Sequence, residues 1–212
     1  MGVTSPGPLL ELRDIEKRYA NGTLALQRMS VAIGEREFVT FLGPSGCGKS
    51  TALKMVAGLS PLSGGEIHWS SDPEASSGGA AADHAHDIGF VFQEPTLMPW
   101  ATVFDNVWLP LRLKGVGRDT ARTDIERVLA TVGLADFAHV YPRELSGGMK
   151  MRVSIARALI TRPKLLLMDE PFAALDEMTR FKLNNDTLAL WQDSRFTAIF
   201  VTHSVYQDVY LS

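Results

Sequence analysis

Two short stretches hold residues whose types and spacing can do chemistry on a phosphate. The first is Gly43-Pro44-Ser45-Gly46-Cys47-Gly48-Lys49-Ser50, which follows the apolar run 37–42. Its glycines let the backbone curl and aim successive N–H groups at one anion, and Lys49 adds a point charge. Ser50 can offer its hydroxyl to a magnesium ion. The run Thr51 to Leu59 is expected to be a helix whose positive N-terminal end faces the same anion. The second stretch is Leu165-Leu166-Leu167-Met168-Asp169-Glu170, four apolar residues that end in two acids. A buried strand there delivers adjacent carboxylates to the sheet edge near which nucleotides bind in open α/β folds. Asp169 suits Mg²⁺, which prefers hard oxygen ligands, and Glu170 can polarise a water for in-line attack on a terminal phosphate.

Three further positions fall in line with these. Ser146-Gly147-Gly148 opens a helix in which Met151, Ile155 and Leu159 recur at spacing four, with Lys150, Arg152 and Arg157 off that stripe. The free N–H groups of such an opening make a second anion site, although Ser-Gly-Gly by itself is a weak signal. Gln93 ends the apolar run Ile88 to Phe92, and His203 follows the run Thr197 to Val201 after Thr202. Each expected central strand thus carries a polar tip, which gives His203 a route to the same crevice as Asp169.

The elements that must position these residues read as α/β. Leu9 to Tyr19 and Leu26 to Ile33 are expected as strands of a hairpin turned by Ala20-Asn21-Gly22-Thr23, with Tyr19 at its entrance. Glu37 to Leu42 is a third strand and Gly64 to Trp69 a fourth. Residues 70–87, rich in Ser, Ala, Gly and Asp, read as a surface loop. His84 and His86 with Asp83 and Asp87 are metal-ligand types, but in such a segment they read as solvated. Glu94 to Leu113 holds Leu97, Met98, Trp100, Val103, Phe104, Val107, Trp108, Leu109 and Leu111, more apolar surface than one helix hides. Partner interface and helical core weigh equally there. Asp119 to Val132 has a helical stripe, Leu134 to Glu144 is a helical connection, and Met178 to Trp191 is a further helix.

Size and charge set bounds. A chain of 212 residues is long enough for one large α/β domain, and 21 basic against 24 acidic residues (net −3) offer no general attraction to nucleic acid or an anionic membrane. Cys47 is the only cysteine, so no internal disulfide is possible and a reducing, cytosolic compartment fits. Met1 to Pro8 does not read as a secretion signal, and no run approaches the roughly 18 apolar residues of a spanning helix.

The phosphate loop, Gln93, Leu145 to Met149, Asp169-Glu170, Ala174-Leu175-Asp176 and His203, in this order, resemble the ATP-binding subunits of ABC transporters over nearly the whole chain. The resemblance implies an ABC-type P-loop NTPase: one α/β domain over 1–212, a mostly parallel central sheet, an N-terminal antiparallel β subdomain and a helical subdomain inserted at 95–145. It implies ATP and Mg²⁺ as ligands, with Gly43, Pro44, Ser45, Gly46, Cys47, Gly48, Lys49, Ser50 and Thr51 around the phosphates (the Walker A loop) and Tyr19 stacked on adenine. Ser50, Gln93 and Asp169 would serve the metal. Glu170 would be the general base, Gln93 would also contact the attacking water, and His203 would contact the γ-phosphate. Ser146, Gly147 and Gly148 would cap the γ-phosphate of ATP held by a second copy in a head-to-tail homodimer, and Asp176 would communicate across it.

More narrowly, Glu94 to Trp100 and the run 149–175 are similar to the nitrate, sulfonate and taurine importer group. That implies import of a small anionic solute through a separate permease, which docks on the segment after Gln93, with a solute-binding protein behind it. It also implies a peripheral location on the cytoplasmic face of the inner membrane. Met149 stands where the family most often has Gln, and the chain ends at Ser212, so a form truncated relative to the family is expected. The competing expectation, a soluble ABC ATPase acting on nucleic acid or ribosomes, would call for a second cassette, a coiled coil or basic extensions, which this sequence lacks.

Overall fold

The computed structural model describes residues 7–70, 87–194 and 196–202. His203 and residues 71–86, including His84 and His86, lie outside these. The N-terminal hairpin forms as its turn residues dictate. Strand β1 (Leu10–Arg18) pairs antiparallel with β2 (Leu24–Ile33), Gly22 supplies the left-handed φ of +83°, and the Gly22 amide donates to the Tyr19 carbonyl at 2.9 Å. The strand Gly64–Trp69, β4, adds to the other side of β1, which gives a three-stranded antiparallel sheet in the order β2-β1-β4.

The second sheet is parallel. Its strands β3 (Phe38–Leu42), β5 (Ile88–Val91), β6 (Leu165–Asp169) and β7 (Thr197–Thr202) lie in the order β3-β7-β6-β5. Every residue of β6 and β7 is buried, which is why these strands read as continuous apolar runs rather than alternating ones. Their side chains divide between two cores. Leu165, Leu167, Ile199 and Val201 pack with Leu53, Met55 and Val56 of helix α1 (Lys49–Val56), whereas Leu166, Met168, Ala198 and Phe200 pack with the helices of the other face. Each fully buried leucine contributes about 1.5–3 kcal/mol relative to exposure, so the sheet is clamped from both sides.

That other face carries α2 (Val103–Leu113), α3 (Arg118–Thr131), α4 (Gly147–Leu159) and α5 (Glu177–Ser194). The stretch expected as a helical connection, Leu134 to Glu144, instead makes two short 3-10 turns, Ala135–Phe137 and Pro142–Glu144. Pro142 has no amide to donate and its ring blocks the preceding turn, so an i→i−4 ladder cannot run through it. The apolar run Glu94 to Leu113 divides its surface. Val103, Phe104 and Val107 are buried in the core, while Trp100 (77% exposed) and Leu113 (79%) face outward. Helix α1 begins two residues earlier than expected, at Lys49, because Gly48 takes φ +98° and its carbonyl accepts the Ala52 amide at 2.8 Å. It ends at Val56, short of Leu59, where Gly58 at φ +71° turns the chain.

Candidate functional site

The loop 43–48 leaves the end of β3 and turns into α1. Gly46 and Gly48 both hold left-handed φ, +82° and +98°. At Gly48 a Cβ would come within 2.3 Å of the Ala25 carbonyl oxygen, so the loop packs against the start of β2 with no room for a side chain. This contact also brings the Tyr19 hairpin to the loop, since Leu24 pairs with Arg18 directly below the Tyr19 turn. Tyr19 is half exposed, with the Lys17 ammonium 5.5 Å from its ring centroid. The early helix start makes the amides of Lys49 and Ser50 first-turn donors without helical partners, the groups that bind anions.

Lys49 is buried and donates to the carbonyls of Gly43 (2.6 Å) and Pro44 (2.9 Å), with Cys47 Sγ at 3.8 Å. The ammonium therefore lies inside the curl, where it can exchange carbonyls for phosphate oxygens. Ser50 Oγ donates to Asp169 Oδ1 at 2.6 Å, so the first turn of α1 and the tip of β6 meet through one hydrogen bond across 119 residues of sequence. A hydroxyl and a carboxylate so placed fit Mg²⁺, which uses one or two protein oxygens and takes its others from water and substrate phosphates. The described residues hold no larger cluster of His, Cys, Asp and Glu, so nothing suits a metal caged wholly by protein.

Glu170 follows at φ +46°, unusual for a residue with a side chain; its amide donates to the Val201 carbonyl at 3.1 Å. Its carbonyl accepts the Ala173 amide, so the chain turns away from the sheet with Glu170 at the corner. Gln93 is exposed two residues past Val91, which pairs with Met168. Since Asp169 pairs with Val201 and Leu42 with Thr202, the loop, Gln93, Asp169 and Glu170 all emerge at one edge of the parallel sheet.

The structure does not bring Ser146, Gly147 and Gly148 to this edge from the α1 side. They open α4, on the opposite face from α1, with Ser146 Oγ accepting the Met149 amide at 3.3 Å. Instead they sit beside Asp176. A Cβ at Gly147 would lie 3.1 Å from Leu175, and one at Gly148 3.1 Å from Thr179. Asp176 itself caps α5 by accepting the Thr179 amide at 3.0 Å. Hydrogen bonds from Thr179, the side chain first and then the backbone, hold its carboxyl below the ordinary value.

Several residues escape the sequence reading. Arg180 donates to the carbonyls of Phe172 (3.2 Å), Ala173 (3.3 Å) and Leu175 (2.8 Å), gathering the loop between Glu170 and Asp176. Asn106, fully buried, accepts the Met98 amide and donates to the carbonyls of Met98, Ala101 and Thr102, which orders the chain after Gln93. Arg157 bonds to Pro95 and Thr96. Basic residues off the apolar stripe of α4 were the only hint of any of these.

A glycine-rich loop opening a helix at the edge of a parallel sheet, with a strand-tip carboxylate on its serine, defines a P-loop nucleotide-binding protein. Residues 26–173 match the model of the ABC transporter family. The chain is 45% identical to the taurine import ATP-binding protein TauB of Rhizobium johnstonii over 194 residues, 92% of this chain and 71% of the relative. It is also 45% identical to the aliphatic sulfonates import ATP-binding protein SsuB of Yersinia pestis over 207 residues, 97% and 71% respectively. Among solved structures, cbiO1 of Clostridium perfringens, part of the ABC transporter complex cbiONQ, superposes with a TM-score of 0.82 at 29% identity, covering 93% of this chain and 79% of that one. The chain belongs to the ABC transporter family as an ATP-binding subunit, and is an ATPase. The nucleic-acid or ribosome alternative finds no support among these relatives.

Proposed function

We propose that this subunit powers import of a small anionic solute of the sulfonate or taurine kind, with nitrate in the same class, through a separate membrane permease. The names and 45% identity of the taurine and aliphatic sulfonate import relatives support that solute class. No described helix is long and apolar enough to cross a membrane. The import role that the relatives' names carry supports a subunit that works peripherally, at the cytoplasmic face of the inner membrane, beside a permease that does the translocation. The outward Trp100, seven residues along the chain from Gln93, and Leu113, the last residue of α2, mark the surface we assign to the permease within the helical insertion 95–145.

The 2.6 Å bond between Ser50 and Asp169 carries the assignment of the hydrolytic site. Gly43 to Thr51 hold the phosphates, Lys49 turns from its own loop carbonyls to the β- and γ-phosphates, and Tyr19 stacks on adenine. Ser50, Asp169 and Gln93 serve Mg²⁺, which supplies charge neutralisation on the phosphates. Glu170 accepts the proton of the attacking water, and Gln93 and His203 orient the water and the γ-phosphate.

Because the Ser146 helix opens on the face opposite α1, we assign Ser146, Gly147 and Gly148 to ATP held by a second copy. Asp176, packed beside them, would report that contact to the other copy's site. The solute-binding protein then acts only through the permease.

Co-expression with the permease of a taurine or sulfonate importer, followed by uptake of radiolabelled taurine, an alkanesulfonate and nitrate, tests the assignment. Uptake of one of these that disappears in the Glu170→Gln variant is the expected result. A subunit that never joins the membrane with its permease overturns it.

A further inference from the structure

Arg157 lies in the last turn of α4, eleven residues along the chain from Ser146. A basic side chain there usually answers its own helix's last carbonyls. This one does not. Its guanidinium donates to the Thr96 carbonyl at 2.8 Å, the Pro95 carbonyl at 3.0 Å and Thr96 Oγ1 at 2.9 Å, with Ser154 Oγ at 3.5 Å. Among the described residues no carboxylate forms an ion pair with it. Burial pushes its pKa down, as desolvating a cation among neutral acceptors must. A half-buried charge is thus spent on one short piece of backbone.

That backbone begins two residues after Gln93. Thr96 holds φ +47°, a conformation a β-branched residue leaves unless its surroundings over-determine it. Both oxygens of Thr96 are taken by Arg157. A planar fork with five donors at fixed angles suits this task, and an ammonium does not.

We propose that Arg157 is a positioning residue for ATP hydrolysis: it locks the Pro95-Thr96 segment to the helix capped by Ser146, and so fixes where Gln93 stands at the sheet edge. This rests on the role assigned above to Gln93. The helix that presents Ser146 at one end holds the Gln93 segment at the other, so the two move as one body.

The test is steady-state ATPase kinetics of the full-length protein with Arg157→Gln, Arg157→Lys, Gln93→Ala and the doubles. Arg157→Gln lowers kcat by about tenfold and leaves the KM for ATP within about twofold, because the chemical geometry loosens while the phosphate cradle is untouched. Arg157→Lys restores part of the loss. In the Gln93→Ala background neither substitution costs anything further, since the group they position is gone.

Multiplicative losses in the doubles, or a rise in KM equal to the fall in kcat, overturn the proposal by showing a general structural role. A slow Gln93→Ala beside Arg157 variants at the wild-type rate overturns it while leaving the Gln93 role intact. Gln93→Ala at the wild-type rate overturns both. Should Arg157→Gln fail to fold, the lysine variant carries the same cycle.

Discussion

Gly46 and Gly48 offer a controlled comparison within one loop. Both hold left-handed φ, +82° and +98°, so alanine at either pays the backbone strain of that region, about 1–2 kcal/mol. The surroundings differ. Nothing lies within 4 Å of a Cβ at Gly46, whereas at Gly48 the Ala25 carbonyl oxygen would be 2.3 Å away and Leu26 Cδ1 3.0 Å. Ordinary carbon–oxygen contact begins at roughly 3.2 Å, so Gly48→Ala must push the loop and β2 apart by about 1 Å, and a displacement of that size in a binding or catalytic constellation costs on the order of a hundredfold. Gly46→Ala should lower the melting temperature by about 2–8 °C, the shift that 1–2 kcal/mol makes in a domain of this size, and weaken ATP binding no more than about tenfold. Gly48→Ala should lower it further and weaken ATP binding by about a hundredfold. Thermal unfolding and titration with a fluorescent ATP analogue read the two effects separately. Equal melting points and equal ATP affinities in the two variants would refute the claim that β2 braces the phosphate loop.

Three more outcomes can be checked. Glu170→Gln keeps ATP affinity and lowers turnover by at least about a hundredfold in a phosphate-release assay, as loss of a general base does; wild-type turnover removes Glu170 from that role. The exposed Cys47 thiol reacts with a maleimide, and ATP at about ten times its Kd slows labelling about tenfold, with equal rates counting against a nucleotide over the loop. The depressed Asp176 carboxyl contributes stability that is fully present above its unfolded value of 3.8 and is lost as pH falls through the lower folded value. Melting curves from about pH 5 down to about pH 2 should therefore converge for wild type and Asp176→Ala, and a constant gap would refute the cap.

Chemistry carried by side-chain type was legible in the sequence to different depths. The phosphate loop, the Asp169 tip and the alternation of strands with helices follow from local rules that act within a dozen residues: glycine where φ is positive, apolar runs where both faces are covered, polar residues where a strand meets the edge. Boundaries slipped where a single φ decides them, as at Gly48, whose left-handed turn starts α1 at Lys49 instead of Thr51. The run after Gln93 read equally as interface and as core because periodicity cannot divide one apolar stretch between two environments. The structure sends Val103, Phe104 and Val107 inward and Trp100 outward.

What stayed hidden has a common physical form. Arg157, Arg180 and Asn106 each spend their polar atoms on backbone groups of irregular chain: Pro95 and Thr96; Phe172, Ala173 and Leu175; Met98, Ala101 and Thr102. Every residue has a carbonyl, so the recipient of such a bond leaves no mark in the sequence, and the donor looks like any surface cation or amide. Yet these loops connect the strand tips to the helices that follow, and without ladder partners their carbonyls need side-chain donors or water. Gln93 and Glu170 each stand at the start of a loop held in this way. The placement of these residues is therefore set by polar side chains that belong to other elements: Arg157 and Asn106 hold the chain after Gln93, and Arg180 holds the chain after Glu170.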